Sequence, residues 1–184
     1  KNKKPKVHAV HKANVMRLTD GIFLDACRFV SSKYPDIDYN EMLVDACAAH
    51  IVRNPSQFDV IVTTNMFGDI LSDLATELSG SLGLAGSLNA GDNYAMAQAQ
   101  HGSATDIAGQ NIANPISLIL SSAMLLNWLG KKRKIKNLVL ASSLIDKSVT
   151  KLLENETCLT KDLGGTSSTA ETTKNLINIL KHLI

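Results

Sequence analysis

The pattern of apolar and polar positions changes its period repeatedly along the chain. Residues 7–12 show a period of two, which predicts a strand, and a second strand is predicted at residues 37–42. The continuous apolar run at residues 58–64 predicts a strand covered on both faces. Elsewhere apolar residues recur every three to four positions, which predicts helices. An alternation of strands and helices is typical of an α/β protein, and this is the predicted fold class.

The helical pattern predicts six helices, which begin near residues 19, 44, 69, 116, 137 and 169. Thr19 is the predicted N-cap of the first helix. Gly130 is the predicted end of the fourth, followed by a basic turn at residues 131–136. Residues 80–93 contain four glycines and predict a long loop that crosses between two subdomains, and residues 94–99 predict a further strand.

Composition places the chain among ordinary globular proteins. Of its 184 residues, 45% are hydrophobic and 20% are charged, which excludes the disordered and low-complexity classes. A formal charge of +2 argues against a nucleic-acid partner, and no apolar run is long enough to predict a membrane span. Three cysteines without CxxC spacing predict free thiols in a reducing compartment. We therefore expect a cytoplasmic protein, or a protein of the mitochondrial matrix in a eukaryote.

Two aspartates, Asp69 and Asp73, lie four positions apart on a predicted helix, which places their carboxylates on one face. Like charges at this spacing destabilise a helix by roughly 0.2–0.5 kcal/mol, and no Lys or Arg lies one turn away to offset them. The pair is either the solvated edge of an amphipathic helix or half of a site for Mg²⁺ or Mn²⁺. The pattern alone leaves both interpretations open.

Two further positions carry candidate chemistry. Lys12 lies at the end of a predicted strand, where it is either an ordinary exposed charge or a desolvated amine that can accept a proton. The loop at residues 101–109 offers backbone amides and a carboxylate, Asp106, that can accept hydrogen bonds from ribose hydroxyls and repels a 2′-phosphate. This favours NAD over NADP, although the chain has neither a Rossmann nor a P-loop glycine fingerprint.

Five motifs occur in a set order along the chain. They are HKANVMRLTDG, VDACAAHIVRNPSQFDVIVTTNMFGDILSDLA, GSLGLAGS, HGSATDIAGQNIANP and TKDLGG. Together they resemble the metal-dependent β-decarboxylating dehydrogenases, the family of isocitrate and 3-isopropylmalate dehydrogenases. The resemblance implies an isopropylmalate-dehydrogenase-like fold of two subdomains, of which the chain is the C-terminal half. Residues 1–80 would belong to the small, dimerisation subdomain and residues 81–184 to the large, nucleotide-binding subdomain.

The resemblance also implies roles for individual residues. Lys12 matches the catalytic lysine of the family, and Asp45, Asp69 and Asp73 match the aspartates that bind Mg²⁺ or Mn²⁺. The residues that match the NAD-binding loop are His101, Gly102, Ser103, Ala104, Asp106, Ile107 and Asn114. In the family, the lysine and the first aspartate reach into the site of a partner subunit. A homodimer with shared active sites is therefore expected.

The expected function is oxidative decarboxylation of a 2-hydroxy acid, with isocitrate as the first choice, using NAD and a divalent metal ion. Three alternatives stay open. The substrate is 3-isopropylmalate or another malate-type acid, the chain is a non-catalytic regulatory subunit, or it serves only dimerisation. The chain has AQAQ before His101, where the family commonly has a glutamate, and Thr105 where the family has proline. The first departure leaves the choice of substrate open.

Overall fold

The computed structural model describes residues 4–184, which form two compact units with their boundary between Leu78 and Ser79. The first unit holds parallel strands and the helices between them, and the second holds a hairpin and three long helices. The mixed α/β fold class predicted from the sequence is thus confirmed. The assignment of the two units to dimerisation and nucleotide binding stays a prediction.

The first unit is built on a three-stranded parallel sheet with the strand order β2–β1–β3. Its elements are β1 (Lys6–His11), α1 (Thr19–Ser31), β2 (Asp38–Leu43), α2 (Val44–Arg53), β3 (Val60–Thr63) and α3 (Asn65–Leu78). In the register, Val7 of β1 lies opposite Tyr39 of β2 and Val60 of β3. The core contains four buried side chains from β1, α2 and α3, namely Val10, Cys47, Ile51 and Leu71.

The second unit is built on α4 (Ile116–Arg133), α5 (Lys136–Leu153) and α6 (Thr169–Lys181). The antiparallel hairpin of β4 (Gly86–Ala90) and β5 (Ala95–Ala99) is hydrogen-bonded to α4. Ser121 Oγ accepts from the Ser87 amide at 2.9 Å and donates to the Gln98 carbonyl at 2.7 Å, which fixes both strands to one side chain. The buried residues of its core are Ile116, Val149, Leu152, Cys158 and Leu176.

Three predicted helix boundaries are wrong. Thr19 does not cap α1, because the preceding Leu18 is itself in the helical conformation and no side chain caps the helix. The third helix begins at Asn65 rather than near Asp69, and the side chain of Phe67 in its first turn is buried in the first unit. Gly130 does not end the fourth helix but lies buried within it. A Cβ at this position would lie 2.8 Å from Val139 Cγ2, so the glycine permits α5 to approach α4 closely.

Two further predictions about β structure are also wrong. The glycine-rich residues 80–93 are not a continuous loop, because β4 begins at Gly86. A Cβ there would lie 3.2 Å from the backbone of Leu120 in α4. The strand β3 is not covered on both faces, because the face that carries Val60 and Val62 is open. Val60 and Val62 retain 55% and 37% of their surface exposed.

Cys27, Cys47 and Cys158 are free thiols, as predicted, and the last two are buried. Burial raises the pKa of the Cys47 thiol, which keeps it protonated.

Among residues 4–184, no helix combines the length and the apolar character that crossing a bilayer requires.

His8 makes the stability of the fold depend on pH. It is 5% exposed, its Nδ1 has no hydrogen-bond partner among residues 4–184, and its ring meets Phe58 edge-on at 4.8 Å. Burial, and secondly the charge of Lys6, lower its pKa from 6.5, and Asp59 only partly opposes them. The unfolded chain therefore binds a proton more readily than the folded chain. The contribution of His8 to the free energy of unfolding is therefore fully present above about pH 6.5 and is lost as the pH falls below it.

This dependence is measured by urea unfolding of the chain and of His8→Leu between pH 7.5 and pH 5.5. We expect the unsubstituted chain to lose more stability over this interval than the variant, because leucine takes up no proton. The carboxylates contribute equally to both curves and cancel in the difference. Parallel curves would contradict the interpretation of His8 as a neutral buried imidazole.

Candidate functional site

Lys12 directly follows β1, and hydrogen bonds fix both its backbone amide and its backbone carbonyl. Its amide donates to Oδ2 of Asp20 at 2.6 Å, and its carbonyl accepts from the amides of Val15 and Met16 at 2.9 and 2.8 Å. Asp20 lies in the first turn of α1 and is only 1% exposed. This buried carboxylate therefore sets where the lysine leaves the sheet. Sequence reasoning missed it, and the only available signal was its place in the first motif.

The side chain of Lys12 forms an ion pair with Asp45. The distance between Lys12 Nζ and Asp45 Oδ1 is 2.5 Å, and the two side chains are 27% and 65% exposed, so the pair faces solvent. The two residues meet because β1 and β2 are parallel neighbours, with His11 opposite Leu43. Lys12 and Asp45 therefore both follow the carboxyl ends of adjacent strands. The hydrogen bond from Lys12 lowers the pKa of the Asp45 carboxyl, which stays ionised.

Asp69 and Asp73 lie on α3 and are both exposed. Their spacing of four residues places them on one helix face, and carboxylate oxygens are the ligands that Mg²⁺ and Mn²⁺ prefer. Residues 4–184 contain no cluster of three or more His, Cys, Asp or Glu side chains that could hold a metal ion. The structure thus joins Lys12 to Asp45 but does not bring them to Asp69 and Asp73. The donor types fit the metal, and its binding stays a prediction.

A cavity of about 730 Å³ lies in the second unit, within the size range of ligand pockets. Its lining comes from three segments, at residues 81–83, 101–114 and 161–162. Five of the seven predicted cofactor residues line it: His101, Gly102, Ala104, Ile107 and Asn114. Ser103 and Asp106 belong to the same loop but do not line the cavity.

The loop around Ala104 leaves room for a ligand. Ala104 adopts the left-handed conformation with φ of 42°, and a short 3₁₀ helix follows at Thr105–Ile107. The side chain of Gln110 donates to the Asp106 carbonyl at 2.7 Å and holds this turn. A Cβ added to Gly102 would meet nothing within 4 Å, so the cavity is open at this point. Small residues, free space and polar backbone groups fit a nucleotide.

Sequence reasoning missed several lining residues, among them Ser81, Gly83, Lys161 and Asp162. Their motifs, GSLGLAGS and TKDLGG, were recognised without a role. Partial desolvation acts to raise the pKa of Asp162. Hydrogen bonds from Ser81, Thr160 and Asn114 outweigh it and lower the pKa overall. The cavity therefore holds an ionised carboxylate, and Lys161 also lines it.

The chain is similar to known proteins along nearly its whole length. Residues 1–179 match the sequence family described as isocitrate/isopropylmalate dehydrogenase. The isocitrate/homoisocitrate dehydrogenase of Thermus thermophilus is 47% identical over 177 residues, which are 96% of this chain and 51% of that protein. The 3-isopropylmalate dehydrogenase of Sulfurisphaera tokodaii is 44% identical over 178 residues, 97% of this chain and 52% of that protein.

Similarity extends to a eukaryotic relative and to solved structures. The mitochondrial isocitrate dehydrogenase [NAD] catalytic subunit 5 of Arabidopsis thaliana is 45% identical over 176 residues, 95% of this chain and 45% of that protein. The crystal structure of isocitrate dehydrogenase from Methylococcus capsulatus superposes with a TM-score of 0.89 at 40% identity, covering 96% of this chain and 51% of that one. The chain thus spans about half the length of the curated relatives it matches.

Proposed function

Because the chain belongs to the isocitrate/isopropylmalate dehydrogenase family, we propose that it provides half of an NAD-dependent, β-decarboxylating dehydrogenase. Its proposed substrate is a 2-hydroxy acid, isocitrate in the first place and 3-isopropylmalate as the alternative, and its proposed metal is Mg²⁺ or Mn²⁺. The observation that carries the proposal is the 2.5 Å contact between Lys12 Nζ and Asp45 Oδ1. It places the side-chain amino group of Lys12 beside a carboxylate that could bind the metal.

Lys12 has the central role in this mechanism. In the ion pair with Asp45 the lysine is an ammonium ion, so it must first release a proton to solvent; its neutral Nζ then accepts the proton of the substrate's 2-hydroxyl group, directly or through water, as the alcohol is oxidised. Asp20 keeps the lysine in place through the Lys12 amide, and Asp45 orients its ammonium group before substrate binds. When bound, NAD would supply a hydride acceptor and the metal ion would supply a Lewis acid for the substrate oxygen. Asp45, Asp69 and Asp73 are the residues that would hold this ion.

A homodimer would complete the site. Lys12 and Asp45 act together in one chain, whereas Asp69 and Asp73 lie on a different helix and would be supplied by a second copy. Two observations support this. Residues 4–184 hold no three-acid cluster within one chain. In addition, α3 exposes large apolar side chains near its aspartates, with Met66 and Ile70 more than half exposed. Apolar surface of this kind is typical of a protein interface.

Selection of NAD is supported by the charge of the loop. Asp106 is exposed, and its neighbours Ala104 and Ile107 line the cavity of the second unit. A carboxylate at this rim can accept hydrogen bonds from ribose hydroxyls and repels the 2′-phosphate of NADP. The proposed function therefore includes a preference for NAD.

The proposal is tested in a chimera, in which this chain is joined to the part of the Thermus thermophilus relative that lies outside the match. We expect reduction of NAD with isocitrate or 3-isopropylmalate, dependent on Mg²⁺ or Mn²⁺ and abolished by a chelator. Parallel assays with NADP measure the cofactor preference. A folded, dimeric chimera that turns over neither acid would contradict the proposed function.

A further inference from the structure

Asp162 joins the three segments that line the cavity of the second unit. Ser81 Oγ and Asn114 Nδ2 donate to Asp162 Oδ2 at 2.5 and 2.9 Å, and Thr160 Oγ1 donates to Asp162 Oδ1 at 2.5 Å. Ser81 belongs to the first lining segment and Asn114 to the second, whereas Thr160 directly precedes the third. One carboxylate therefore connects parts of the chain that lie as many as 81 residues apart.

Two of these donors depend on Asp162 because they are removed from water. Ser81 is 6% exposed and Thr160 is fully buried. Ser81 Oγ also accepts from the Gly83 amide at 3.0 Å, so its position determines the turn at residues 81–83. A buried hydroxyl that loses its acceptor is costly, and its segment is expected to rearrange. The shape of this wall of the cavity thus rests on the carboxylate.

The third donor, Asn114, is held at both ends of its amide. Its Nδ2 donates to Asp162, and its Oδ1 accepts from the Ile116 amide at 3.0 Å, at the start of α4. One hydrogen on Nδ2 and one lone pair on Oδ1 stay available for a ligand. Asn114 also packs tightly, because a Cβ added to Gly83 would lie 2.7 Å from Asn114 Cβ. Its orientation in the cavity is therefore defined before any ligand binds.

We propose that Asp162 is a positioning residue for nucleotide binding, which holds Ser81 and Asn114 in the geometry that NAD requires. This inference rests on the proposed function, because it takes the cavity as the NAD site. Asp162 acts through its neighbours rather than on reacting atoms. Its contribution is preorganisation, since side chains that are already ordered lose less entropy when the ligand binds.

The test measures the dissociation constant of NAD by calorimetry for the 184-residue chain and four variants. Asp162→Ala removes all three acceptor contacts and is expected to weaken binding about tenfold or more. Asp162→Asn retains one acceptor oxygen and can donate to Thr160 Oγ1, so it is expected to recover most of the affinity. Asp146→Ala removes an exposed carboxylate of α5 outside the cavity and is expected to leave the dissociation constant unchanged.

The fourth variant separates positioning from general loss of stability. Leu152→Ala opens the buried core of the second unit without changing a residue that lines the cavity. Well below the unfolding temperature of every variant, it is expected to bind NAD like the unsubstituted chain. Equal dissociation constants for Asp162→Ala and the unsubstituted chain would overturn the inference, and so would an equal loss in Leu152→Ala. Failure of the unsubstituted chain to bind NAD would instead overturn the proposed nucleotide cavity, and the inference with it.

Discussion

Replacing Lys12 with methionine in the chimera is expected to lower kcat about 10³-fold, the usual range for removal of a general base. The Michaelis constant for NAD is expected to change little, because the cavity that we assign to NAD is lined by residues of the second unit alone. Steady-state kinetics with saturating metal ion and acid measure both constants. A kcat within threefold of the parent would contradict a proton-accepting role for Lys12.

Two further variants sharpen this test. Lys12→Arg keeps a positive charge beside Asp45 but cannot act as a base, because guanidinium stays protonated in proteins. We expect it to be nearly as inactive as Lys12→Met, and recovery of activity would show that the charge alone is required. Lys147→Met is the matched control, since Lys147 is an exposed lysine of α5 that does not line the cavity. Its kcat is expected to equal that of the parent.

Gly165→Ala is expected to destabilise the second unit by about 3 kcal/mol. A Cβ on Gly165 would lie 2.0 Å from the carbonyl oxygen of Leu159 and 2.5 Å from its carbonyl carbon. Both are backbone atoms, so relief requires the turn to open. The Gly165 amide closes this turn by donating to the Thr160 carbonyl at 3.0 Å. The substitution therefore acts on the same segment that holds Asp162.

The loss is measured by urea unfolding followed through tryptophan fluorescence. The chain has a single tryptophan, Trp128, and it lies in α4, so the signal reports on the second unit. Gly102→Ala is the matched control, because its new Cβ would meet nothing within 4 Å and we expect a change of about 0.5 kcal/mol or less. Equal effects of the two substitutions would show that the contact with Leu159 does not restrict Gly165.

Sequence patterns predicted elements whose signal is local, but not those that depend on a distant partner. The alternating residues of β1 and the proline after α2 were sufficient to identify these elements. Gly86 and Gly130 were assigned to a loop and a helix end, because glycine is typical of both. Their actual places, in β4 and inside α4, depend on the close approach of Leu120 and Val139. Such tertiary contacts leave no trace in a local pattern.

The residues of the candidate site also fall into two groups: those that the sequence identified and those that only the structure revealed. Family motifs named Lys12 and Asp45 as functional residues, and the parallel pairing of β1 with β2 explains why they meet. Asp20 and Asp162 carried no interpretable signal. An aspartate that accepts from a distant backbone amide or hydroxyl has the same sequence appearance as one that faces solvent. Only the placement of their partners in space revealed which groups these two carboxylates accept hydrogen bonds from.

The edge position of β3 has a practical consequence for work with this chain alone. The other edge of the three-stranded sheet, β2, carries Asp38 and Glu41, and such charges discourage pairing with a foreign strand. The β3 segment Val60–Thr63 has no charged residue, and within residues 4–184 no strand pairs with its outer side, so it offers its ladder to neighbouring molecules. Overproduction without a covering polypeptide therefore invites insoluble, strand-paired aggregates. Low expression temperature and dilute handling are the conditions that this edge requires.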